Sequence, residues 1–298
     1  MKHDIVILGV FVADTAYRAS RQPKMGETLL GNGFSLGPGG KGSNQAVAAA
    51  RAGGDTAFLS KLGVDAFADM AMKTWQEAGV HPAITRDPES YTGAAYIFIE
   101  EGTGNNAIIV SPGAAATISP ADMDANADLI GGAKIFVTQL EQPLDAAVRA
   151  LQIARAGGAV TILNPAPAQK LDAAVFALCD YVTPNETETE ILTGLPVTNV
   201  DEARVAADRL LEMGVKTAII TLGAQGALYH NRAQSVLVPA FKAGTVVETT
   251  GAGDAFNGGL AAALSKGMVP LDAVRFGSAV AGISVTRAGT APYMPTLA

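Results

Sequence analysis

Short apolar runs alternate with amphipathic segments along most of the 298-residue chain, and this alternation constrains the fold more than any other feature. The apolar runs predict buried strands at 5–10, 57–60, 134–140, 159–163, 181–182 and 217–222. The helical patterns fall at 42–52, 66–78, 143–156, 201–213, 253–265 and 271–286. Strands that alternate with helices predict an α/β fold, in which helices cover both faces of a mostly parallel sheet.

Two excursions, at 15–36 and 82–110, interrupt this rhythm. They contain half-polar alternating segments and turn signals such as Asn32-Gly33, which are typical of antiparallel ribbons. We expect them to form a small β lid outside the main sheet. Because the sequence holds no internal repeat and no low-complexity linker, it predicts a single domain over residues 1–298.

Composition excludes several classes of protein. With 49% apolar and 16% charged residues, the chain is not disordered, and its net charge of −7 has the wrong sign for a nucleic-acid binder. No apolar run approaches the roughly 18 residues of a membrane span, and 5–13 fits a first buried strand better than an exported leader. We therefore expect a cytoplasmic protein with no membrane or nucleic-acid partner.

Histidine and cysteine are scarce. Cys179 is the only cysteine, and His3, His81 and His230 are far apart in the sequence, so counting argues against disulfide frameworks and Cys/His zinc clusters. His230 is expected on an edge strand, as a surface residue. Catalytic proton transfer is therefore expected to depend on carboxylates.

Polar residues follow the predicted strands where each strand ends. In an open parallel sheet, ligands bind outside the carboxyl ends of the strands, so these residues predict a site. They are Asp14, Glu141, Asn164, Asn185, and Thr221 with Gly223. Asp14 and Glu141 would place two carboxylates where their oxygens accept hydrogen bonds from a polyhydroxylated ligand.

The segment 249–256 (TTGAGDAF) carries the strongest chemical signal. Its small residues let backbone N–H groups point into one space, and the helix that follows adds the positive end of its dipole, which favours a phosphate. Two interpretations of Asp254 stay open. It either favours the start of a helix, as Asp commonly does, or takes a proton from an attacking hydroxyl group.

Two further segments are candidates for ligand contacts. The glycine-rich turn 37–46 (GPGGKGSNQA) matches neither a dinucleotide fingerprint nor a Walker loop, but its backbone can approach a ligand closely, with Lys41 and Asn44 as donors. Asn185 and Glu188 predict a capped helix start. Glu188 has a second possible role, holding water around Mg²⁺.

Four segments together resemble the PfkB carbohydrate kinases, and most of all the ribokinases within that family. They are GGKGSNQA at 39–46, NPAPA at 164–168, TPNETE at 183–188 and GAGD at 251–254. The resemblance runs in order through nearly the whole chain, from about residue 5 to 295. It implies ATP-dependent, Mg²⁺-requiring transfer of a γ-phosphoryl group to a sugar hydroxyl. The fold it implies is three-layered, α/β/α, with a small β lid that often forms homodimers.

The resemblance also implies roles for individual residues. Asp254 resembles the catalytic base, and the N–H groups of Gly251, Ala252, Gly253 and Asp254 resemble an anion hole. The residues that resemble sugar contacts are Asp14, Gly40, Lys41, Asn44 and Glu141. Those that resemble nucleotide contacts are Asn185, Thr221, Gly223 and Gly226. Glu188 resembles the residue that acts on magnesium through water.

Three positions depart from the family pattern. Val12 stands where ribokinases usually carry Asn, and its side chain can neither donate nor accept a hydrogen bond. We therefore hypothesise a sugar that differs from ribose near this position, such as a 2-deoxy pentose. Glu248 stands where ribokinases have an Asp beside an activating monovalent cation, and Tyr293 stands where they often have a Ser. The residues at this possible K⁺ site are Glu248, Thr250, Ser284, Arg287 and Gly289.

The leading interpretation is an ATP-dependent kinase for the primary hydroxyl group of a pentose or related small sugar. One alternative is a nucleoside kinase of the same fold, and another is a non-catalytic sugar-binding sensor. The intact GAGD segment at 251–254 argues against the sensor, because a sensor needs no base. An NAD oxidoreductase is disfavoured because no G-x-G-x-x-G follows the first strand.

Overall fold

The computed structural model describes residues 2–297, which contain two β-sheets. The larger sheet has nine strands in the order β13-β12-β11-β10-β9-β8-β1-β4-β5. Its strands are β1 (Ile5–Leu8), β4 (Thr56–Leu62), β5 (His81–Arg86), β8 (Ile135–Thr138), β9 (Val160–Leu163), β10 (Tyr181–Val182), β11 (Thr217–Thr221), β12 (Ala227–Asn231) and β13 (Ser235–Val238). All neighbours pair in parallel except β11 with β12 and β12 with β13.

Helices cover both faces of this sheet. They are α1 (Lys41–Arg51), α2 (Ala66–Ala78), α3 (Pro120–Ala125), α4 (Ala127–Gly131), α5 (Leu144–Ala156), α6 (Ala173–Phe176), α7 (Glu186–Thr193), α8 (Val200–Glu212), α9 (Ala252–Ser265) and α10 (Pro270–Ser284). None of the helices within residues 2–297 has the length and apolar character needed to cross a membrane.

Alternation along the first strand divides the core into two layers. Ile5 and Ile7 point to one face and pack in a cluster with residues of α1, α2, α9 and α10. Val6 and Leu8 point to the other face and pack with residues of α3 to α8. Because side chains along a strand point alternately to opposite faces, one fully apolar strand supports both layers. The three-layer α/β/α prediction is confirmed.

The smaller sheet has the strand order β3-β2-β6-β7. It consists of β2 (Val12–Ala19), β3 (Gly33–Gly39), β6 (Thr92–Glu100) and β7 (Asn106–Gly113). β2 pairs antiparallel with β3 and parallel with β6, and β6 pairs antiparallel with β7. A separate small β-sheet was expected from the sequence and is present.

Two details differ from the sequence-based expectation. The excursion predicted at 82–110 begins too early, because β5 pairs in parallel with β4 and is an edge strand of the large sheet. Asp14 does not lie in a loop after β1 but inside β2, opposite Gly37 of β3. The physical reason is that β2 begins only four residues after β1 ends, so the chain crosses directly from one sheet to the other.

Candidate active site

The amino end of α9 is open to a ligand. Its N-cap, Gly251, has the left-handed φ of 77°, and within the described residues no side chain caps the helix. Gly253 is exposed, and a Cβ added there would meet nothing within 4 Å. A helix of 14 residues presents unpaired N–H groups and a positive dipole end at this point, so the geometry suits an anion.

Asp254 lies in the first turn of this helix and is 8% exposed. Its carboxylate accepts hydrogen bonds from Asn44 Nδ2 at 3.1 Å and from Gln45 Nε2 at 3.0 Å. Burial raises the pKa of Asp254, while the charge of Lys41 and these two hydrogen bonds act in the opposite direction. The group therefore has a higher proton affinity than an ordinary aspartate, as a general base requires.

A buried amide network fixes the orientation of Asp254. Gln45 Nε2 also donates to Asn164 Oδ1 at 3.0 Å, and Gln45 Oε1 accepts from Gln139 Nε2 at 2.7 Å. Gln45, Gln139 and Asn164 are 0%, 0% and 7% exposed. Because both the nitrogen and the oxygen of its amide group are hydrogen-bonded, Gln45 is fixed in the orientation in which it donates to Asp254.

The network continues back to α9. Asn164 Nδ2 donates to the Thr183 carbonyl at 3.0 Å, and Thr183 Oγ1 donates to Asn257 Oδ1 at 2.7 Å. Asn257 Nδ2 then donates to the Gly253 carbonyl at 2.9 Å. This series of hydrogen bonds connects the ends of β9 and β10 to the first turn of α9, so the turn that carries Asp254 is held on two sides.

Two more carboxylates lie near Lys41. The Glu141 Oε2 atom accepts the backbone N–H of Lys41 at 2.8 Å. Burial, with smaller contributions from the charges of Asp254 and Asp14, raises the pKa of Glu141 to about 7, against the lowering effect of the Lys41 charge and backbone hydrogen bond. Burial likewise raises the pKa of Asp14 to about 6, and Lys41 again acts to lower it. Asp14, Glu141 and Asp254 are therefore all close enough to Lys41 for its charge to affect their pKa values.

The turn before α1 requires glycine at two positions. A Cβ on Gly39 would lie 2.3 Å from the Asp14 carboxylate oxygen, and Gly40 has a φ of 89° with the Val10 carbonyl 2.4 Å from the position of a Cβ. No larger residue fits either position without displacing Asp14 or the backbone. The glycines therefore let the backbone approach the carboxylate that the smaller sheet contributes.

Asn44 has a free acceptor. Its amide nitrogen binds Asp254, but its Oδ1 atom is buried and has no partner within the described residues. Buried polar atoms are normally hydrogen-bonded, so an unpaired acceptor beside a carboxylate indicates a position for a ligand donor. A sugar hydroxyl group is such a donor.

Asn185, Thr221, Gly223 and Gly226 lie around the ends of β10 and β11. Asn185 forms an isolated parallel bridge with Thr221, and Gly223 and Gly226 have positive φ values of 51° and 109°. Gly223 is exposed, whereas the others are partly buried. The four residues form part of the rim of the large sheet, next to the hydrogen-bond network of Asp254.

Glu188 completes a capping box at the start of α7. Asn185 Oδ1 accepts the Glu188 N–H at 2.8 Å, and Glu188 Oε2 accepts the Asn185 N–H at 2.9 Å. Burial raises the pKa of Glu188; the Asn185 hydrogen bond and the charge of Lys41 lower it, and the charge of Asp254 raises it. The Glu188 carboxylate is therefore close enough to Lys41 and Asp254 for their charges to affect its pKa.

The segments proposed to bind a monovalent cation contact each other, and the Glu248 N–H donates to the Val285 carbonyl at 3.2 Å. Gly289 N donates to Glu248 Oε2 at 2.8 Å, and the Ser284 carbonyl accepts the Arg287 N–H at 3.1 Å. Thr250 is exposed beside the amino end of α9. The structure thus joins 248–250 to the turn after α10.

Sequence reasoning missed the residues that position Asp254 and misplaced one histidine. Gln45, Gln139, Thr183 and Asn257 were not proposed as site residues, although a polar pair at 44–45 inside a buried alanine-rich helix is a usable signal. His230 was expected at the surface on an edge strand, and this was wrong. It is 7% exposed on β12, which has neighbours on both sides, and Asp208 and Ser235 contact its two ring nitrogens at 2.9 Å.

Comparisons with known proteins find similarity over nearly the whole length of the chain. The profile of the pfkB family carbohydrate kinases matches residues 2–297. The chain is 38% identical to a ribokinase of Staphylococcus aureus (strain COL), over 100% of this chain and 98% of that protein. It is also 38% identical to a deoxyribokinase of Salmonella typhi, over 99% and 96%. The solved structure of Arabidopsis thaliana ribokinase complexed with ribose and ATP superposes with a TM-score of 0.94 at 28% identity, covering 100% of this chain and 97% of that one.

Proposed function

The chain belongs to the PfkB family of carbohydrate kinases, and we propose that it transfers the γ-phosphoryl group of ATP to the primary hydroxyl group of a pentose, with Asp254 as the base. The observation that carries this proposal is the placement of Asp254. The carboxylate is buried, held by two amides, and located in the first turn of a helix whose amino end is free to bind an anion.

The proposed reaction is a displacement at the γ-phosphorus of ATP. The sugar hydroxyl oxygen bonds to the γ-phosphorus, the bond from that phosphorus to the bridging oxygen breaks, and ADP leaves with the electron pair. Asp254 takes the hydroxyl proton. The N–H groups of 251–254 and the dipole of α9 stabilise the negative charge on the transferring phosphoryl group, because they are oriented before the reaction begins.

We assign the sugar to the space between the smaller sheet and α1. The carboxylates of Asp14 and Glu141 accept hydrogen bonds from sugar hydroxyl groups, and the unpaired Asn44 Oδ1 accepts another. Lys41 offsets the negative charge that these carboxylates share. Gly40 is proposed to contact the sugar through its backbone, and its lack of a side chain lets the turn before α1 pack against the backbone of Val10 and Phe11.

Val12 sets the substrate preference in this proposal. It is 6% exposed, and because it is two residues before Asp14 on β2, both side chains point to the same face of the smaller sheet. A sugar hydroxyl group facing its methyl groups would lose a hydrogen bond worth about 0.5–1.5 kcal/mol. We infer a 2-deoxy pentose as the preferred acceptor, in line with the similarity to a deoxyribokinase.

Asn185, Thr221, Gly223 and Gly226 are proposed to hold the nucleotide. Glu188 fits a magnesium site, because its partly buried carboxylate supplies the hard oxygen that Mg²⁺ prefers and is close enough to Asp254 for the Asp254 charge to affect its pKa. Bound there through water, Mg²⁺ would neutralise charge on the phosphates. The hydrogen bond from the Asn185 N–H holds the Glu188 carboxylate in place.

A monovalent cation is proposed to bind between 248–250 and 284–289. The donors are the Glu248 carboxylate and the carbonyls of Thr250, Ser284, Arg287 and Gly289. The support is the contact of Gly289 with Glu248, which brings the two segments together. A higher rate in K⁺ than in a large organic cation supports this site, and equal rates contradict it.

The proposed assembly is a cytoplasmic homodimer that pairs through the smaller sheet. The support is the exposure of large apolar side chains on the face of that sheet opposite Asp14. Tyr17, Phe34, Leu36 and Ile109 are 44%, 60%, 44% and 65% exposed. Their strand registers place them together on this face.

The substrate proposal is tested by measuring ADP release from Mg-ATP with pentoses, 2-deoxy pentoses, hexoses and nucleosides. We expect the highest kcat/KM with a 2-deoxy pentose. In the Val12→Asn variant, we expect the ratio of kcat/KM for ribose to kcat/KM for the 2-deoxy pentose to rise by about 10-fold, because one hydrogen bond is regained. Val205→Asn, on the exposed face of α8, is the matched control and leaves the ratio unchanged.

Other outcomes separate the alternatives. Ribose as the best substrate of the wild type contradicts the role given to Val12. A nucleoside as the best substrate supports the nucleoside kinase instead. Binding of sugar without any ADP release supports the non-catalytic sensor.

A further inference from the structure

Two histidines and an aspartate lie together at the end of the large sheet opposite the candidate active site. His3 Nδ1 is 2.8 Å from Asp55 Oδ1, and His81 Nε2 is 3.6 Å from the same oxygen. The His3 and His81 rings stack with their centroids 4.4 Å apart. The possible ligand atoms of all three residues lie within 4.8 Å of one another.

The sheet itself brings these residues together. His3 precedes β1, Asp55 precedes β4 and His81 begins β5, and these three strands are neighbours. The parallel register aligns Ile5 with Thr56 and Ala57 with His81. Because each residue is next to a paired strand, the cluster rests on rigid elements and not on a long loop. The histidines are far apart in the sequence, which is why composition alone argued against such a cluster.

We propose that His3, Asp55 and His81 bind a transition-metal ion, with Zn²⁺ as the best fit. Imidazole nitrogens with one carboxylate are typical zinc ligands, whereas Mg²⁺ prefers oxygen. Ligands on a tetrahedral ion with bonds of about 2.0–2.1 Å lie roughly 3.3 Å apart, which is close to the observed separations. A water molecule completes the coordination.

The surroundings support this assignment. The Ile5 N–H donates to the Asp55 carbonyl at 2.9 Å, so the backbone of the central ligand is held by the neighbouring strand. A cavity of about 950 Å³, lined by Lys2, His3 and His81 among others, opens beside the cluster and gives solvent and metal access. The Asp55 and His81 side chains are 47% and 58% exposed.

The three ligands come from the beginnings of three neighbouring strands, β1, β4 and β5. Binding would tie together the beginnings of three strands, so its expected role is structural.

The test uses the metal-stripped full chain, titrated with Zn²⁺ and with Co²⁺ in an excess of Mg²⁺, which occupies oxygen-rich sites. We expect one equivalent of each metal to bind, visible Co²⁺ absorption typical of a low-coordinate nitrogen and oxygen site, and a rise of several degrees in the midpoint of thermal unfolding with Zn²⁺.

Variants assign the site. His81→Ala and Asp55→Asn are expected to lose stoichiometric binding and the thermal shift. Asp4→Asn, an exposed neighbour whose carboxylate pairs with Lys134, is the matched control and keeps both. Circular dichroism confirms that each variant is folded. The proposal is overturned if the wild type binds no Zn²⁺ under these conditions, or if folded His81→Ala and Asp55→Asn both bind as the wild type does.

Discussion

Glu141 is a buried carboxylate whose protonation is linked to stability. Burial raises its pKa from 4.5 to about 7 in the folded chain. The folded state therefore binds this proton more tightly than the unfolded state does. The stability that results is fully present below pH 4.5 and is lost as the pH rises through about 7.

The Glu141→Gln variant removes this dependence. We measure the free energy of unfolding of the variant minus that of the wild type. This difference is expected to be about 3 kcal/mol more positive at pH 8 than at pH 4.5, which is the free energy equivalent of the pKa shift. Urea unfolding of both proteins at the two pH values measures it. Glu77→Gln, on the exposed side of α2, is the control and shows a similar offset at both. An offset for Glu141→Gln that falls with rising pH would refute the linkage.

Individual site residues differ in how far the sequence identifies them. Asp254, Asn185 and Glu188 follow from local rules, since each is near a helix start whose capping chemistry is visible within a few residues. Gln45 does not, because its partners Asn164 and Asp254 are 119 and 209 residues away in the chain. His230 was misjudged because β13 covers β12, and a strand order cannot be read from the polarity of one strand.

Helices α1 and α9 set the distance between the amide groups of Asn44 and Gln45 and the Asp254 carboxylate. Asn44 and Gln45 belong to the first, and Asp254 to the second. The two helices pack closely at Gly258, where a Cβ would lie 2.5 Å from the Ala48 Cβ and 2.7 Å from the Ala49 nitrogen. Their separation therefore depends on the absence of a side chain at this point.

We expect Gly258→Ala to force these helices apart and to destabilise the protein by about 1–3 kcal/mol, as overpacking of a core typically does. Gly253→Ala is the matched control in the same helix, because its Cβ meets nothing within 4 Å and alanine favours helix. Chemical denaturation compares the two. Equal stabilities of Gly258→Ala and Gly253→Ala would contradict the close packing.

The central strands of the large sheet were predictable, whereas its edge strands and the connections between the two sheets were not. Continuous apolar runs mark β1, β8, β9 and β11 because both faces of these strands are buried. β5 is an edge strand with a half-exposed, mixed pattern, and it was therefore assigned to the excursion. The same limit applies to Asp14, whose place in β2 depends on where the chain leaves the large sheet.

At the scale of the whole molecule, the smaller sheet has two different faces. One carries Val12 and Asp14 toward the site, and the other exposes Tyr17, Phe34, Leu36 and Ile109. Exposed apolar clusters of this kind are typical of interaction surfaces. A pairing of two such faces would bury them and keep the sheet fixed over each site.

The dimer is tested by Phe34→Asp. A buried, unpaired charge at the pairing face is expected to shift the protein from dimer to monomer in sedimentation velocity. Val205→Asp, equally exposed but on α8, stays dimeric. A wild-type monomer at high concentration, or a dimer that Phe34→Asp leaves intact, would contradict pairing through this face.

We propose that the two sheets and α9 converge on Asp254, the base for phosphoryl transfer to a sugar. The most direct measurement is the steady-state rate of sugar-dependent ADP release for Asp254→Asn, which keeps the size of the side chain. Asp272→Asn, in the first turn of α10 with a side chain 56% exposed, is the matched control. We predict that Asp254→Asn lowers kcat by about 10²- to 10⁴-fold with little change in the KM for ATP, and that the control is unaffected. A folded Asp254→Asn variant that retains most of the wild-type kcat would contradict the claim.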